Sequence, residues 1–158
     1  MKQTSQSPKK KSVKPIPEGY HTVTPFLVVT QADLLLEFIK KAFDGEVTSR
    51  MLDDKGRVMH ATVKIGDSIV MVADAMEKFP AMQAMLYIYV DDVDATYNQA
   101  LKAKGVSIRI PTDEFYGDRS AGVTDPWGNQ WWIAAHVEDV DPKEMEKRRK
   151  EFEALQEA

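Results

Sequence analysis

The two halves of this chain repeat one order of elements at a spacing of about 60 residues. Matching residues mark the spacing, 60 residues for the first pair and 62 for the other two: Gly45 and Gly105, Arg57 and Arg119, and Gly66 and Gly128. A near-constant offset is typical of a duplicated supersecondary unit. Because 158 residues suffice for one domain, we expect two small modules that share a single core.

Each half has a β-α-β-β-β pattern. In the first half, the amphipathic helix is predicted at Ala32 to Phe43. The strands are predicted at Tyr20 to Val29, Glu46 to Leu52, Arg57 to Ile65 and Ser68 to Ala73. In the second half, the helix is predicted at Val93 to Lys104. The strands are predicted at Met85 to Val90, Val106 to Ile110, Trp131 to Ala135 and, as a short strand, near Ala121 to Thr124. The turn Asp125-Pro-Trp-Gly128 precedes the last strand, and residues 113–122 are predicted to form a loop.

Two segments flank the repeat. Residues 1–14 are polar and basic and are predicted to be a disordered leader. Residues 141–158 are predicted to be a C-terminal helix, since Asp141 is a good N-cap and Pro142 suits the first turn. Its apolar stripe is narrow, so we expect it to dock on its own body or on another subunit. Between them, residues 15–140 are predicted to form the folded domain, with modules at about 20–80 and 85–137.

Charge and composition exclude several classes of function. The net charge is −4, but residues 1–15 carry five lysines and no acid, so the rest of the chain carries −9. That body is poorly suited to nucleic acid, because phosphate binding needs a basic face. The chain has no cysteine, which excludes thiolate nucleophiles and zinc–thiolate sites. No signal-peptide pattern and no run of about 20 apolar residues occurs, so a soluble cytoplasmic protein without membrane partners is expected.

The repeat and three local stretches resemble a known family. The stretches are Pro15 to Pro25, His60-Ala with Ile65 to Met71, and Phe115-Tyr-Gly-Asp-Arg119 with Asp125-Pro-Trp-Gly128. Together they resemble the vicinal oxygen chelate superfamily (glyoxalases, bleomycin-resistance proteins and extradiol dioxygenases), and within it the PhnB-like branch. The resemblance covers about residues 15–145. It implies an α+β fold of tandem βαβββ modules that form a concave mixed sheet, usually in a homodimer.

The resemblance also implies where metal-dependent relatives hold their ion. The matching positions lie on or near Thr24, Val70, Met85 and Trp132. A hydroxyl, an alkyl group, a thioether and an indole are not ligands for a catalytic divalent cation, which needs imidazole or carboxylate. The expectation is therefore a protein with no metal ligands at these positions and no cofactor, in which metal-dependent glyoxalase or dioxygenase chemistry is absent.

His60 is the candidate catalytic residue among the three histidines. It lies on the polar side of its predicted strand with Val58 and Thr62, while Met59, Ala61 and Val63 are expected to pack under the helices. In the concavity, His60 would transfer a proton, because its ordinary pKa is near 6.5. The alternative is a hydrogen-bonded structural histidine. His21 and His136 lie near strand ends, and a three-histidine metal cluster would need unlikely convergence.

Two further groups are candidates for ligand contact. In the loop, Arg119 would clamp a carboxylate or phosphate and Tyr116 would hydrogen-bond or stack, unless Asp118 simply pairs with Arg119 or caps the loop. By strand parity, an aromatic lining is predicted to project to one concave side from Phe26, Tyr87, Tyr89 and Trp132. Aromatic side chains with few charges suit a flat apolar or aromatic ligand, although any one of them is also ordinary core.

These residues support two functional hypotheses. The first is a metal-free, homodimeric protein that binds an apolar or aromatic small molecule, in the way that bleomycin-resistance relatives sequester an antibiotic. The second is a PhnB-like enzyme of lyase, isomerase or transferase type that uses His60 with Tyr116 and Arg119, or a non-standard metal site. A third possibility is an interaction module that uses the C-terminal helix.

Overall fold

The structure, a computed structural model, describes residues 13–157. It contains eight strands and three helices within that range. The strands are β1 (Phe26–Val29), β2 (Glu46–Leu52), β3 (Val58–Ile65), β4 (Ser68–Asp74), β5 (Met85–Tyr89), β6 (Val106–Asp113), β7 (Asp118–Thr124) and β8 (Gln130–His136). The helices are α1 (Ala32–Phe43), α2 (Val93–Lys102) and α3 (Pro142–Gln156). All but the last two residues of the predicted basic leader lie outside the described residues.

The strands form two mixed sheets of the same topology. The first has the order β1-β4-β3-β2 and the second has the order β5-β8-β7-β6. In each sheet the first strand of the module pairs in parallel with the last, and the other pairings are antiparallel. Two copies of one β-α-β-β-β unit are therefore present, and the predicted α+β class with tandem modules is confirmed.

One hydrophobic core joins the two modules. α1 and α2 each pack on their own sheet and also contact each other. Phe43 at the end of α1 packs on Trp131 of β8, with ring centroids 4.7 Å apart. The core cluster takes buried side chains from both helices and both sheets, as the repeat predicted for modules that cannot each bury an apolar face alone.

The two modules end their helices in the same way. At the end of α1, Asp44 adopts a left-handed conformation with φ 53°, and at the equivalent place after α2 Lys104 has φ 80°. The glycines that follow are needed for close packing instead: a Cβ on Gly45 would lie 2.8 Å from Ile39 Cγ2, and one on Gly105 would lie 2.8 Å from the Ala100 carbonyl oxygen.

The turn before β8 is built around the buried Asp125 carboxylate. Its Oδ1 accepts from the backbone N–H groups of Trp127 and Asn129, at 2.9 and 3.0 Å. Its Oδ2 accepts from Asn129 Nδ2 and Trp131 Nε1, both at 2.9 Å. Gly128 has φ 86°, which the turn requires. The Asp-Pro-Trp-Gly motif is thus a structural unit that fixes the start of β8.

Two strands differ from the sequence prediction, and the difference in β7 moves candidate residues. The predicted 113–122 loop is only the turn Glu114 to Gly117, because β6 continues to Asp113 and β7 begins at Asp118. In β3 the pairing with β2 shifts between Met51 opposite His60 and Leu52 opposite Val58. That irregularity puts Val58 in the core and leaves Met59 exposed, the reverse of the predicted alternation.

The remaining elements are close to their predicted positions. The first strand is shorter than predicted and begins at Phe26, since Pro25 has no N–H with which to extend the ladder. α3 is a separate element that buries none of its residues and contacts no other helix or strand of the described chain. None of the helices in residues 13–157 is long and apolar enough to cross a membrane.

Candidate functional site: the open faces of the two sheets

Each sheet has one face that its helix covers and one that no helix covers, which we call its open face. On β5 the side chains alternate: Leu86 and Ile88 pack toward the core, while Met85, Tyr87 and Tyr89 are exposed. On β8, Trp131 and Ile133 are in the core, and Trp132 and His136 lie on the opposite side. The second open face therefore carries Met85, Tyr87, Tyr89, Trp132 and His136, together with Asp118 opposite His136.

The open face of the first sheet carries Phe26, His60, Thr62 and Met71. Phe26 is opposite Met71, which is opposite Thr62, so these side chains share a face with His60. The rings of Phe26 and His60 meet edge to face with centroids 5.8 Å apart. No hydrogen bond to the His60 ring occurs among the described residues. The candidate acid/base residue thus has no carboxylate to orient it.

The predicted aromatic lining is divided between these two faces. Phe26 and His60 lie on the first sheet, and Tyr87, Tyr89 and Trp132 lie on the second. No strand of the first sheet contacts a strand of the second within the described chain. Within one chain these residues therefore lie on two separate faces, because the helices, rather than the sheet edges, join the modules. The predicted single concave side stays a prediction, which would need a second copy of the chain.

Asp118 is the centre of the polar group on the second open face. Its side chain is 9% exposed. Oδ2 accepts weak hydrogen bonds from the hydroxyl groups of Tyr87 and Tyr89, both at 3.3 Å, and Oδ1 lies 2.8 Å from His136 Nδ1. Residues from β5 and β8 thus converge on one nearly buried carboxylate of β7. The predicted alternative, a pair between Asp118 and Arg119, does not form.

This carboxylate changes the protonation of its neighbours. Tyr87 is partly exposed, but its hydroxyl end lies against Asp118, so burial, the Tyr116 hydroxyl and the carboxylate together raise the pKa of Tyr87. The charge of Asp118 raises the pKa of Tyr89. Hydrogen bonds to Asp118 and then to Asp139 raise the pKa of His136. The two tyrosines stay neutral hydrogen-bonding groups at physiological pH, and the cationic form of His136 is favoured.

Arg119 lies on the other side of β7, away from the open face. Its guanidinium binds the Asp94 carboxylate with Nε and Nη2, at 2.6 and 2.8 Å, and binds Asp113 with Nη1 at 2.9 Å. Asp94 is in the first turn of α2 and Asp113 ends β6. Arg119 therefore fastens the start of α2 to the edge of the sheet, and the loop clamp predicted from sequence does not form, since strand alternation separates Arg119 from Asp118.

Trp132 forms the floor of the second open face. It is opposite Gly122 in the β7–β8 ladder. A Cβ on Gly122 would lie 3.2–3.3 Å from three carbons of the indole's six-membered ring, so the ring lies over the glycine backbone. Trp132 Nε1 donates to Gln130 Oε1 at 3.3 Å. A tryptophan in this position presents the other side of its ring as an apolar surface.

The positions implied for metal ligands carry no metal-binding chemistry. Val70 faces the core, Thr24 precedes β1, and Met85 and Trp132 lie on the second open face. No group of three His, Cys, Asp or Glu side chains within residues 13–157 is placed to hold an ion. A cleft of about 480 Å³ lies at the junction of the modules, lined mainly by Val28 to Thr30, Ala81 to Gln83, Pro126 and Trp127. None of the predicted site residues lines it, and its lining includes no charged side chain.

His136 is the site residue that sequence reasoning missed. It was set aside as a residue near a strand end, yet it has the same parity as Trp132 on β8. The signal was available once β7 was extended back to Asp118, because the antiparallel register then puts Asp118 directly opposite His136. The strand predicted near Ala121 was too short to include Asp118, so the pairing of Asp118 with His136 was not recognised.

The fold and both open faces can now be compared with known proteins. The family model of the Glyoxalase/Bleomycin resistance protein/Dioxygenase superfamily matches residues 20–133. The chain belongs to this superfamily. Uncharacterized proteins of Mycobacterium bovis and Mycobacterium tuberculosis are each 29% identical to it in an alignment of 135 residues. The match covers 78% of this chain, and 89% and 79% of those relatives.

Several solved structures have the same fold as this chain. TioX from Micromonospora sp. ML1 is 20% identical with a TM-score of 0.61, covering 73% of this chain and 99% of TioX. A PhnB protein from Bacillus cereus is 20% identical with a TM-score of 0.56, covering 73% and 99%. A superfamily protein from Nocardioides is 20% identical with a TM-score of 0.58, covering 77% and 87%. The family resemblance found in the sequence is confirmed.

Proposed function

We propose that this protein binds a planar apolar or aromatic small molecule between open faces contributed by two copies of the chain. The observation that carries the proposal is the exposure of large apolar side chains on faces that no helix covers. Phe26 is 49% exposed on the first open face, and Met85 and Tyr89 are 68% and 66% exposed on the second. Contiguous apolar surface of this kind marks a binding site or an interface.

The second open face supplies the specificity for such a ligand. The Trp132 ring provides a flat surface, and Tyr87 and Tyr89 stand on the neighbouring strand with ring centroids 5.5 Å apart. Aromatic rings bind planar ligands by offset stacking or edge contacts. The tyrosine hydroxyls, which stay protonated, offer a few polar contacts at one end, as is usual for pockets with mostly apolar linings.

A homodimer would turn these shallow faces into enclosed cavities. Within one chain the strands of the two sheets do not contact each other, so one module cannot cover the open face of the other. A second copy could place its first open face over the second open face of its partner, and a two-fold axis would then create two equivalent cavities. His60 and Phe26 would approach Tyr87 and Trp132 in that arrangement, across the subunit boundary.

The names of related proteins are compatible with binding as the activity. The matching family model includes bleomycin-resistance proteins, and we extend to this chain the idea that it sequesters a compound rather than transforms it. The alternative is a lyase, isomerase or transferase that uses His60. That alternative has less support, because the His60 ring contacts Phe26 and makes no hydrogen bond within the described chain that would fix its orientation for proton transfer.

Equilibrium dialysis with 2-naphthol and with decahydro-2-naphthol tests this proposal. The two probes have the same carbon skeleton and hydroxyl group, but only 2-naphthol is flat. We expect 2-naphthol to bind at least about tenfold more tightly, since only a planar ring can stack on Trp132. Trp132→Leu should abolish the preference, and Phe152→Leu, which changes an aromatic residue outside both faces, should keep it. Equal affinity of the wild type for both probes would contradict the proposal.

A further inference from the structure

The C-terminal segment is attached to the body at one place beside the second open face. We call residues 137–141, between β8 and α3, the strap. The backbone N–H groups of Val137 and Glu138 donate to the Gly117 carbonyl oxygen, at 2.9 and 3.0 Å. The strap passes so close to Gly117 that a Cβ there would lie 2.1 Å from the Glu138 carbonyl oxygen. Gly117 ends the turn that also contains Tyr116, so the strap borders the hydroxyl end of the proposed site.

The strap also determines where α3 lies. Arg148 of α3 binds the Glu138 carboxylate through two hydrogen bonds of 2.8 Å, and its Nε donates to Glu144 at 2.9 Å. Phe152 packs on Phe115 with ring centroids 5.2 Å apart. Because α3 buries no residue of its own, these few contacts and the strap hold it on the body. A change in the strap would therefore be transmitted to the whole helix.

His136 connects the strap to the polar group of the second open face. Its Nδ1 lies 2.8 Å from Asp118 Oδ1 and its Nε2 lies 2.8 Å from Asp139 Oδ1. Both neighbours are carboxylates, which only accept hydrogen bonds when ionised, so both ring nitrogens must carry a proton for both contacts to form. A neutral imidazole has one N–H and can satisfy only one carboxylate. The geometry thus requires the imidazolium form.

The two carboxylates differ in exposure, and this difference determines which of them loses its hydrogen bond when the His136 ring becomes neutral. The Asp118 side chain is almost buried, and besides His136 its partners within the described chain are only Tyr87 and Tyr89, through long hydrogen bonds. Asp139 is fully exposed, and water can replace its hydrogen bond. After loss of one proton, the remaining N–H stays with Asp118, because an unsatisfied buried carboxylate is the more costly outcome. The contact with Asp139 in the strap is the one that breaks.

We propose that His136 is a proton-operated latch, which holds the strap and α3 at the edge of the second open face while its ring is cationic and loosens them when it becomes neutral. The charged groups that face the ring are Asp118 on β7 and Asp139 in the strap, and Tyr87 and Tyr89 on β5 share Asp118 with it. This latch does not depend on a bound ligand, so it can hold or fail separately from the proposed binding function.

The direction of the pH effect follows from the altered pKa. The latched state raises the pKa of His136, so the latch is fully engaged below the ordinary histidine pKa of about 6.5 and is lost as the pH rises through the higher latched value. Half of the side chain is exposed, so we expect a moderate effect, about a three- to tenfold rise in opening of the strap between pH 6 and pH 9.

Hydrogen exchange of the full chain, corrected for the intrinsic pH dependence of amide exchange, tests the latch. We expect protection of the Val137 and Glu138 amides to fall about three- to tenfold from pH 6 to pH 9 in the wild type. In Asp139→Asn the fall should be much smaller, because one of the two carboxylates that require the imidazolium is gone. His21→Gln, which changes an exposed histidine that precedes β1, should behave as the wild type does.

A titration of the His136 ring by nuclear magnetic resonance completes the test. The pKa of His136 should be higher in the wild type than in Asp139→Asn. The proposal is overturned if these two pKa values are equal, or if strap protection has the same pH dependence in both proteins. Protection of β5 and β8 amides at both pH values shows that the body stays folded, so these outcomes do not depend on unfolding.

Discussion

Asp118 and Arg119 are adjacent in sequence, yet they serve different parts of the molecule. Because they begin a strand, their side chains point to opposite faces of the sheet. Asp118 organises the tyrosines and His136 on the open face, whereas Arg119 binds Asp94 and Asp113 on the helix side. A pair of opposite charges in sequence is thus a weak guide to an ion pair when strand alternation separates the two residues.

Arg119→Ala should lower stability in a pH-dependent way and leave ligand affinity unchanged. The Arg119 hydrogen bond lowers the pKa of Asp94, so this contribution is present above the ordinary aspartate pKa of about 3.9 and is lost as the pH falls through the lower folded value. Urea unfolding should show a gap between wild type and variant at pH 6 that closes toward about pH 2.

Two comparisons make the Arg119 prediction specific. Arg50→Ala removes a guanidinium for which no ion pair is found in the described chain, and it should cause a smaller loss without this pH trend. The affinity of Arg119→Ala for 2-naphthol should stay within about twofold of the wild type, as a residue on the covered side requires. A tenfold loss of affinity would show that Arg119 contributes to ligand binding and would contradict this prediction.

Asp125→Ala should be among the most destabilising single changes in the chain. The carboxylate accepts four hydrogen bonds, and its removal leaves the buried donors Trp131 Nε1 and Asn129 Nδ2 without partners. We expect a loss of about 2–4 kcal/mol in the free energy of unfolding, measured by urea denaturation. Asp54→Ala, in an exposed turn, is the control and should cost less than about 0.5 kcal/mol. Similar values for the two variants would show that the turn does not depend on Asp125.

At the level of elements, the repeat made most of the fold predictable. The sequence pattern predicted both ends of α1 and of β2 correctly. The offset of about 60 residues then predicted the same order of strands and helix in the second half. The β3 irregularity and the extension of β7 were not predictable, because both depend on pairing with another strand rather than on local pattern. The extension of β7 decides that Asp118, and not Arg119, reaches an open face.

Removal of α3 should change stability very little. The helix buries no residue and contacts no other helix or strand of the described chain, so its removal exposes mainly the contact between Phe115 and Phe152. A chain that ends at Val140 should unfold with a free energy within about 1 kcal/mol of the full chain, by urea denaturation at one protein concentration. A loss above about 3 kcal/mol, or a change from dimer to monomer, would show that α3 is part of the core or of an interface.

At the scale of the whole molecule, the packing of the helices determines how the candidate site residues are distributed. The shared core places α1 and α2 in contact and leaves the two open faces apart. Sequence parity identified Phe26, Tyr87, Tyr89 and Trp132 as residues of uncovered faces, but it contains no information on how the modules are arranged. The face on which each of these four side chains lies was therefore predictable residue by residue, whereas their division between two sheets was not.

The central claim is that each cavity combines the first open face of one copy with the second open face of another. Two variants separate these contributions, Phe26→Ala on the first face and Trp132→Leu on the second. Each variant alone damages both cavities of a dimer, so each should bind 2-naphthol at least about tenfold more weakly. Chains from the two variants, refolded together, should form mixed dimers in which one cavity has both wild-type walls.

The number of high-affinity 2-naphthol sites in that mixture is the most direct measurement of this claim. Half of the dimers are mixed and each has one intact cavity of two, so equilibrium dialysis should recover about a quarter of the wild-type sites. Recovery of about a quarter, with wild-type affinity, is the predicted result. If the mixture binds no more tightly than the separate variants, each cavity takes both walls from one chain and the proposed arrangement is wrong.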